Sequence, residues 1–266
     1  MRRLRFAVLA AALALAACGE KPEPYVEKPV EDLYNEAMNT LEERLYLKAA
    51  RQFEEVERQH PYSAWATKAQ VMAGFSFYQG NKYDDAIATL DQFIELHPSH
   101  RDAPYAYYLK GLSYYEQIAD VGRDQEVTDR ALKTLDEVVR RFPDSRYARD
   151  ARLKIDLTRN HLAGKEMEIG RYYLTRGQPV AAINRFRRVI ENYQTTEQVP
   201  EALLRLTEAY LALGVREEAQ QAAAVLGHNY PGSEWYRDAY ALLQGQGLAP
   251  DGSKPSWISR TFGSLF

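Results

Sequence analysis

The strongest constraint on this chain is an internal repeat. An alanine is followed four positions on by an apolar residue, three later by another, and five later by a proline. The copies read Ala49, Phe53, Val56, Pro61; Ala86, Leu90, Phe93, Pro98; and Ala131, Leu135, Val138, Pro143. A fourth copy, Ala182, Phe186, Val189, has Gln194 where the proline would fall, and a fifth is Ala219, Ala223, Leu226, Pro231. Offsets of four and seven place the apolar pair on one helical face, and proline ends that helix. Twelve positions before the alanine a small residue recurs as Ala37, Gly74, Gly170 and Thr207, with Phe77, Tyr173 and Tyr210 three positions later. Asn81, Gly177 and Gly214 mark the turn between the two helices of a unit.

No segment alternates apolar and polar residues, and helical spacing runs from Val30 to Leu243, so the fold class is all-α. The unit resembles the tetratricopeptide repeat in spacing and residue types. The expected architecture is an α-solenoid of five helix pairs, a right-handed superhelix in that family. Successive alanines lie 37, 45, 51 and 37 residues apart. The extra residues of the third copy point to an enlarged loop at Ala119–Asp124. The fourteen extra residues before the fourth copy are close to four helical turns. They predict one long helix from about Arg146 to Arg176, with Gly164 its weak point. The expected organisation is residues 31–143 for repeats 1–3, 144–244 for repeats 4–5, and a flexible tail at 245–266. Trp257, Ile258, Phe262, Leu265 and Phe266 are the tail's apolar residues.

Residues 1–17 have the form of a cleaved signal. Arg2, Arg3 and Arg5 precede an apolar run from Phe6 to Ala17, too short to span a bilayer core. Leu15-Ala16-Ala17-Cys18 resembles a bacterial lipobox, which makes Cys18 the expected lipid attachment site. Gly19 next to it favours export to the outer membrane in such lipoproteins. Residues 18–30 then hold Pro22, Pro24 and Pro29 among charges, an extended tether. As the single cysteine of 266 residues, Cys18 excludes an intrachain disulfide and a cysteine-cluster metal site. The net charge of −3 argues against a nucleic-acid binder.

No phosphate loop, nucleophile elbow or His-Glu-x-x-His motif is present. His97 and His100 share one loop, and acidic pairs such as Glu54-Glu55 read as solvated helix faces. The chain is expected to be no enzyme and to need neither cofactor nor metal. Two surfaces suit binding instead. The first helices of repeats 1–3 carry a second apolar stripe: Tyr34, Met38, Leu41; Val71, Phe75, Tyr78; and Tyr105, Tyr108, Leu112, Tyr115. They form a candidate groove for an extended peptide with aromatic side chains; packing between neighbouring repeats is the alternative for each. The second surface is electrostatic. Glu20–His100 carries 8 basic and 15 acidic residues, whereas Arg140–Arg188 carries 13 basic and 5 acidic. The basic end favours an acidic partner.

Lipobox, tether and repeats together resemble the BamD lipoprotein family of the outer-membrane β-barrel assembly machine. The resemblance rests on His60-Pro61-Tyr62-Ser63, Phe93–His100, Tyr107–Leu112, Phe142-Pro143-Asp144-Ser145-Arg146-Tyr147 and the long helix ending at Arg176-Gly177. It implies a lipid-anchored scaffold on the periplasmic face of the outer membrane. Its N-terminal repeats would bind the C-terminal targeting strand of unfolded outer-membrane proteins. Its C-terminal repeats would dock on the periplasmic part of BamA, beside other Bam lipoproteins. The family's Asn-Arg pair falls on Asn184-Arg185, with Arg187 and Arg188 alongside, as the BamA-facing set. His60 stands where the family has an aromatic. The alternative is a tetratricopeptide lipoprotein that scaffolds cell-wall enzymes or a pilus or secretion machine.

Overall fold

The computed structural model describes residues 27–254 and 256–263. Among them the chain forms α-helices and no strand. Five hairpins follow one another: α1 (Val30–Glu42) with α2 (Tyr46–Gln59), α3 (Ala64–Gln79) with α4 (Tyr83–Leu96), and α5 (Ala103–Tyr115) with α6 (Glu126–Arg141). Then come α7 (Arg146–Thr175) with α8 (Pro179–Asn192), and α9 (Val199–Ala212) with α10 (Arg216–Asn229). Two further helices are α11 (Glu234–Gly245) and α12 (Trp257–Gly263). Each helix of the hairpins packs on its sequence neighbours, and α1, α3, α5, α7, α9 and α11 also touch in series. This is the quasi-linear stacking of a helical solenoid.

The repeat residues are the core. Phe53, Val56, Leu90, Phe93, Leu135, Val138, Phe186, Val189 and Leu226 are all fully buried. The recurring small residue sits where paired helices cross. A Cβ on Gly74 would lie 2.8 Å from Leu90 Cδ2, and one on Gly170 2.8 Å from Phe186 Cδ1. Backbone conformation accounts for the turn residues: Asn81, Gly177 and Gly214 have φ of 56°, 68° and 75°. Arg44 adopts φ 61° in the first hairpin without any such signature.

Junctions between hairpins share one construction. The last residues His60, His97, Phe142, Tyr193 and Tyr230 all have φ between −134° and −132°. Four of them precede proline, which disfavours helical geometry in the residue before it. Tyr193 adopts the same geometry ahead of Gln194, so the packed junction holds it without the proline. Two positions after Pro61, Pro143 and Pro231, a serine caps the next helix. Ser63, Ser145 and Ser233 accept from Ala66 N, Ala148 N and Tyr236 N at 3.0, 3.2 and 3.2 Å.

The long helix α7 is unbroken over 30 residues, straight through Gly164. Its first half, to Ile155, shares a core with α4–α6, and its second half, from Ala163, belongs to the core of the last two repeats. The enlarged loop after α5 lies against it: a Cβ on Gly164 would meet Val121 Cγ1 at 3.6 Å, and Ile118, Ala119 and Asp120 face Leu157, Thr158 and His161. The two insertions in the repeat pattern therefore pack on each other.

Part of the expected flexible tail, the helix Trp257–Gly263, is packed on the last repeats, while Leu265 and Phe266 lie outside the described residues. Ile258 is fully buried and Phe262 is 4% exposed, and α12 packs against α8 and α10. The Gly-, Ser- and Pro-rich stretch before it carries no periodicity, so its docking depends on residues far away in sequence. Cys18 and residues 18–26 of the tether lie outside the described residues.

Candidate peptide groove and docking face

The stripe on the first helices of repeats 1–3 divides in two. Tyr34, Val71, Phe75 and Tyr105 line one groove of about 710 Å³, with Met72 and Tyr147 completing its apolar wall. Rings hold one another in place there. Tyr34 packs 4.8 Å from Trp65 and 5.5 Å from Phe53, and Tyr147 lies 5.3 Å from both Tyr105 and Tyr108. Burial pushes the Tyr105 hydroxyl up to about 12. Lys68, Arg101 and Arg146 stand on the groove's rim with a single carboxylate, Asp102. Asp102 lies 3.6 Å from Arg101 Nε and 3.7 Å from His100 Nδ1. Lys68 Nζ sits 4.9 Å over the Trp65 ring, and Arg146 4.8 Å over Tyr147 while donating to its hydroxyl at 2.7 Å. An aromatic floor with an excess of positive charge at its edge suits a ligand that is apolar and anionic at once.

The remaining stripe residues do not line this groove. Met38 and Leu41 pack on the core of the first repeat. Tyr78, Tyr108, Leu112 and Tyr115 pack in the cluster that α7 closes. Tyr108 donates to Asp150, and Lys154 Nζ lies 5.0 Å over the Tyr115 ring. Tyr78 donates to Glu116 at 3.3 Å, and burial with that carboxylate raises its hydroxyl to about 12. Burial, then the Asp150 bond, raises Tyr108 as well. For these residues the inter-repeat reading describes the contacts.

Sequence reasoning missed Trp65, Lys68, Arg101, Arg146 and Tyr147 as groove residues. A usable signal existed: an aromatic follows each capping serine by two positions, as Trp65, Tyr147 and Trp235. That offset returns the ring onto the preceding repeat. His60 contacts the tether. Its Nε2 lies 2.8 Å from the Lys28 carbonyl oxygen, and Gln59 Oε1 accepts from Lys28 N at 3.0 Å. The end of the tether is thus pinned on α2.

The basic set on α8 is largely neutralised from within. Arg185 Nη1 lies 3.1 Å from Glu166 on α7, and Arg188 Nη1 lies 3.4 Å from the same carboxylate. Arg187 pairs with Glu191 at 2.6 Å and lies 4.6 Å over the Trp257 ring. Asn184 is exposed. Further along, Arg171 and Arg205 both reach Glu201, at 3.0 and 3.2 Å. Among the described residues there is no cluster able to hold a metal ion, and no helix long and apolar enough to cross a membrane.

Comparison with known proteins places the chain. Residues 26–226 match the model of the YfiO family, described as "Outer membrane lipoprotein". The outer membrane protein assembly factor BamD of Caulobacter vibrioides is 51% identical over 92% of this chain and 81% of its own length. The chain belongs to the BamD family. BamD of Rickettsia prowazekii is 44% identical over 92% of this chain and 98% of its own. BamD of Neisseria meningitidis serogroup A is 34% identical, covering 86% and 91%. A thermophilic tetratricopeptide protein of Thermus thermophilus overlays with a TM-score of 0.38 at 18% identity, over 80% of this chain and 98% of that one. That likeness is too loose to add to the family match. The YfiO model ends within α10, so α11, α12 and the segment between them lie beyond it.

Proposed function

We propose that this chain is a non-enzymatic, lipid-anchored scaffold for assembling outer-membrane proteins, held at the periplasmic face by Cys18. Family membership favours this reading over a scaffold for cell-wall enzymes or for a pilus or secretion machine. The groove of the first three repeats receives the C-terminal targeting strand of an unfolded barrel protein. The terminal aromatic ring enters between Tyr34, Phe75 and Tyr105, and the chain's terminal carboxylate meets Lys68, Arg101 and Arg146. The observation that carries this is the pairing of an aromatic wall with three cations around one carboxylate. A ring gives sequence-tolerant apolar contact, and the cations give charge-assisted hydrogen bonds to a carboxylate, which a free C-terminus supplies next to the terminal ring.

The α8 face, Asn184, Arg185, Arg187 and Arg188, docks on the periplasmic part of BamA. Arg185 and Arg188 share Glu166, so an acidic partner surface would add to an existing network. Photo-crosslinking with a barrel-derived C-terminal peptide tests the groove. Replacing Phe75 and Tyr105 by Ala abolishes the crosslink, whereas Tyr115→Ala leaves it largely intact. Full crosslinking in the Phe75, Tyr105 double variant contradicts the assignment.

A further inference from the structure

The tail runs as a strap over the last repeat before it enters α12. Asp251 N donates to the Gln220 carbonyl at 3.3 Å, and Gln220 Nε2 to the Ala249 carbonyl at 2.7 Å. Lys254 pairs with Glu217, and Gln221 donates to the Lys254 carbonyl. In the furrow between α8 and α10, α12 then buries Ile258 and Phe262, while Trp257 Nε1 donates to Tyr210 Oη at 3.0 Å. Arg187 of α8 covers the outer face of Trp257.

The fit is incomplete at two buried acceptors on α10. Glu218 Oε2 and Gln221 Oε1 are shut off from solvent without a hydrogen-bond partner, and Gln221 is 2% exposed as a residue. Arg187 and Arg260 are the cations that act on Glu218, against the like charge of Glu217. A buried acceptor without a donor is a standing cost to whatever covers it. A seven-residue helix holding two apolar anchors is also a small return for ordering the segment that leads to it.

We propose that the furrow between α8 and α10 is a docking site for a short aromatic helix of a partner protein. In the free chain its own C-terminal segment occupies the site. The partner helix has the anchor pattern of residues 257–262, an aromatic–aliphatic pair and an aromatic four positions beyond it. It also carries Lys or Arg donors that reach Glu218 and Gln221. This site is separate from the peptide groove, and its test does not depend on the groove's function.

The experiment uses the full mature chain with Ile258→Asp and Phe262→Asp, which removes the resident anchors. A fluorescent synthetic peptide of residues 254–263 is the probe, read by anisotropy. It binds the variant at least tenfold more tightly than the unaltered chain. Binding is lost when the peptide's Trp and Phe positions are both Ala. A second probe peptide, with Lys in place of the Thr at position 261, binds the variant more tightly still. Trp257→Ala is the milder second variant, and a retained helical circular-dichroism spectrum with cooperative unfolding shows that either remains folded. No binding to either folded variant overturns the proposal. So does equal binding to the variant and the unaltered chain, or a lysine peptide that gains nothing.

Discussion

The first three repeats and the last two use one packing scheme and present opposite surfaces. In the front half the first-helix face stays open between α1, α3 and α5. Its groove has three cations at the rim and one carboxylate beside them. In the back half the cations are more numerous in sequence but mostly answered. Glu166, Glu191 and Glu201 each hold one or two arginines, and α12 lies over part of α8. Net charge per segment therefore misleads. The groove rim draws Lys68 from the acidic segment, Arg101 from just beyond it and Arg146 from the start of the basic one, whereas most of the remaining basic segment is laced by ion pairs. What distinguishes the groove rim from the back half is how far packing pairs the cations with carboxylates.

If that comparison is right, the cores are interchangeable in energy while the surfaces are not. Phe93 and Phe186 are both fully buried repeat residues. Replacing either by Ala costs about 3–5 kcal/mol, read from urea unfolding. A much smaller loss at one of them would show that the halves are not built alike. The surface swap is the next largest effect. Reversing Lys68 and Arg146 to Glu weakens binding of a barrel-derived C-terminal peptide about tenfold or more, roughly 1.4 kcal/mol. The Arg185→Glu chain binds that peptide normally and instead loses BamA at low salt. Effects appearing in the opposite assay would break the division of labour.

The smallest effect is in alkali. Tyr78 and Tyr105 have hydroxyls raised to about 12 from an ordinary value near 10. For groups whose folded value is raised, the associated stability is complete below pH 10. It is lost as pH rises from 10 through 12. Absorbance titration of Tyr105→Phe against the unaltered chain should remove one late-ionising phenol. A titration with all phenols ionising near 10 would contradict the burial of these rings.

Much of this fold was legible because its signals are local and repeated. The Ala-apolar-apolar-Pro pattern located the paired helices, Asn81, Gly177 and Gly214 marked their turns, and the four-turn insertion placed α7. The groove was half legible. Periodicity put Tyr34, Phe75 and Tyr108 on equivalent faces but could not say that α7 would close over Tyr108 and leave Tyr34 open. That depends on the Tyr147 ring and Asp150 arriving from a helix more than thirty residues away. The rim cations were hidden for a related reason: they come from helix starts and a loop, outside the repeat register. The tail's burial was illegible because its site is made by α8 and α10, whereas its own sequence carries only turn residues and scattered aromatics.

One titration tests the central claim most directly. Two peptides of the same barrel-derived sequence, each ending in Phe, are compared by calorimetry against the unaltered chain. One has a free carboxylate and the other a C-terminal amide. If Lys68, Arg101 and Arg146 read the terminus while the aromatic wall reads the ring, the amide binds at least tenfold more weakly. The difference then disappears in the Lys68, Arg146 double charge-reversal variant. Equal affinity for both peptides in the unaltered chain would contradict the account.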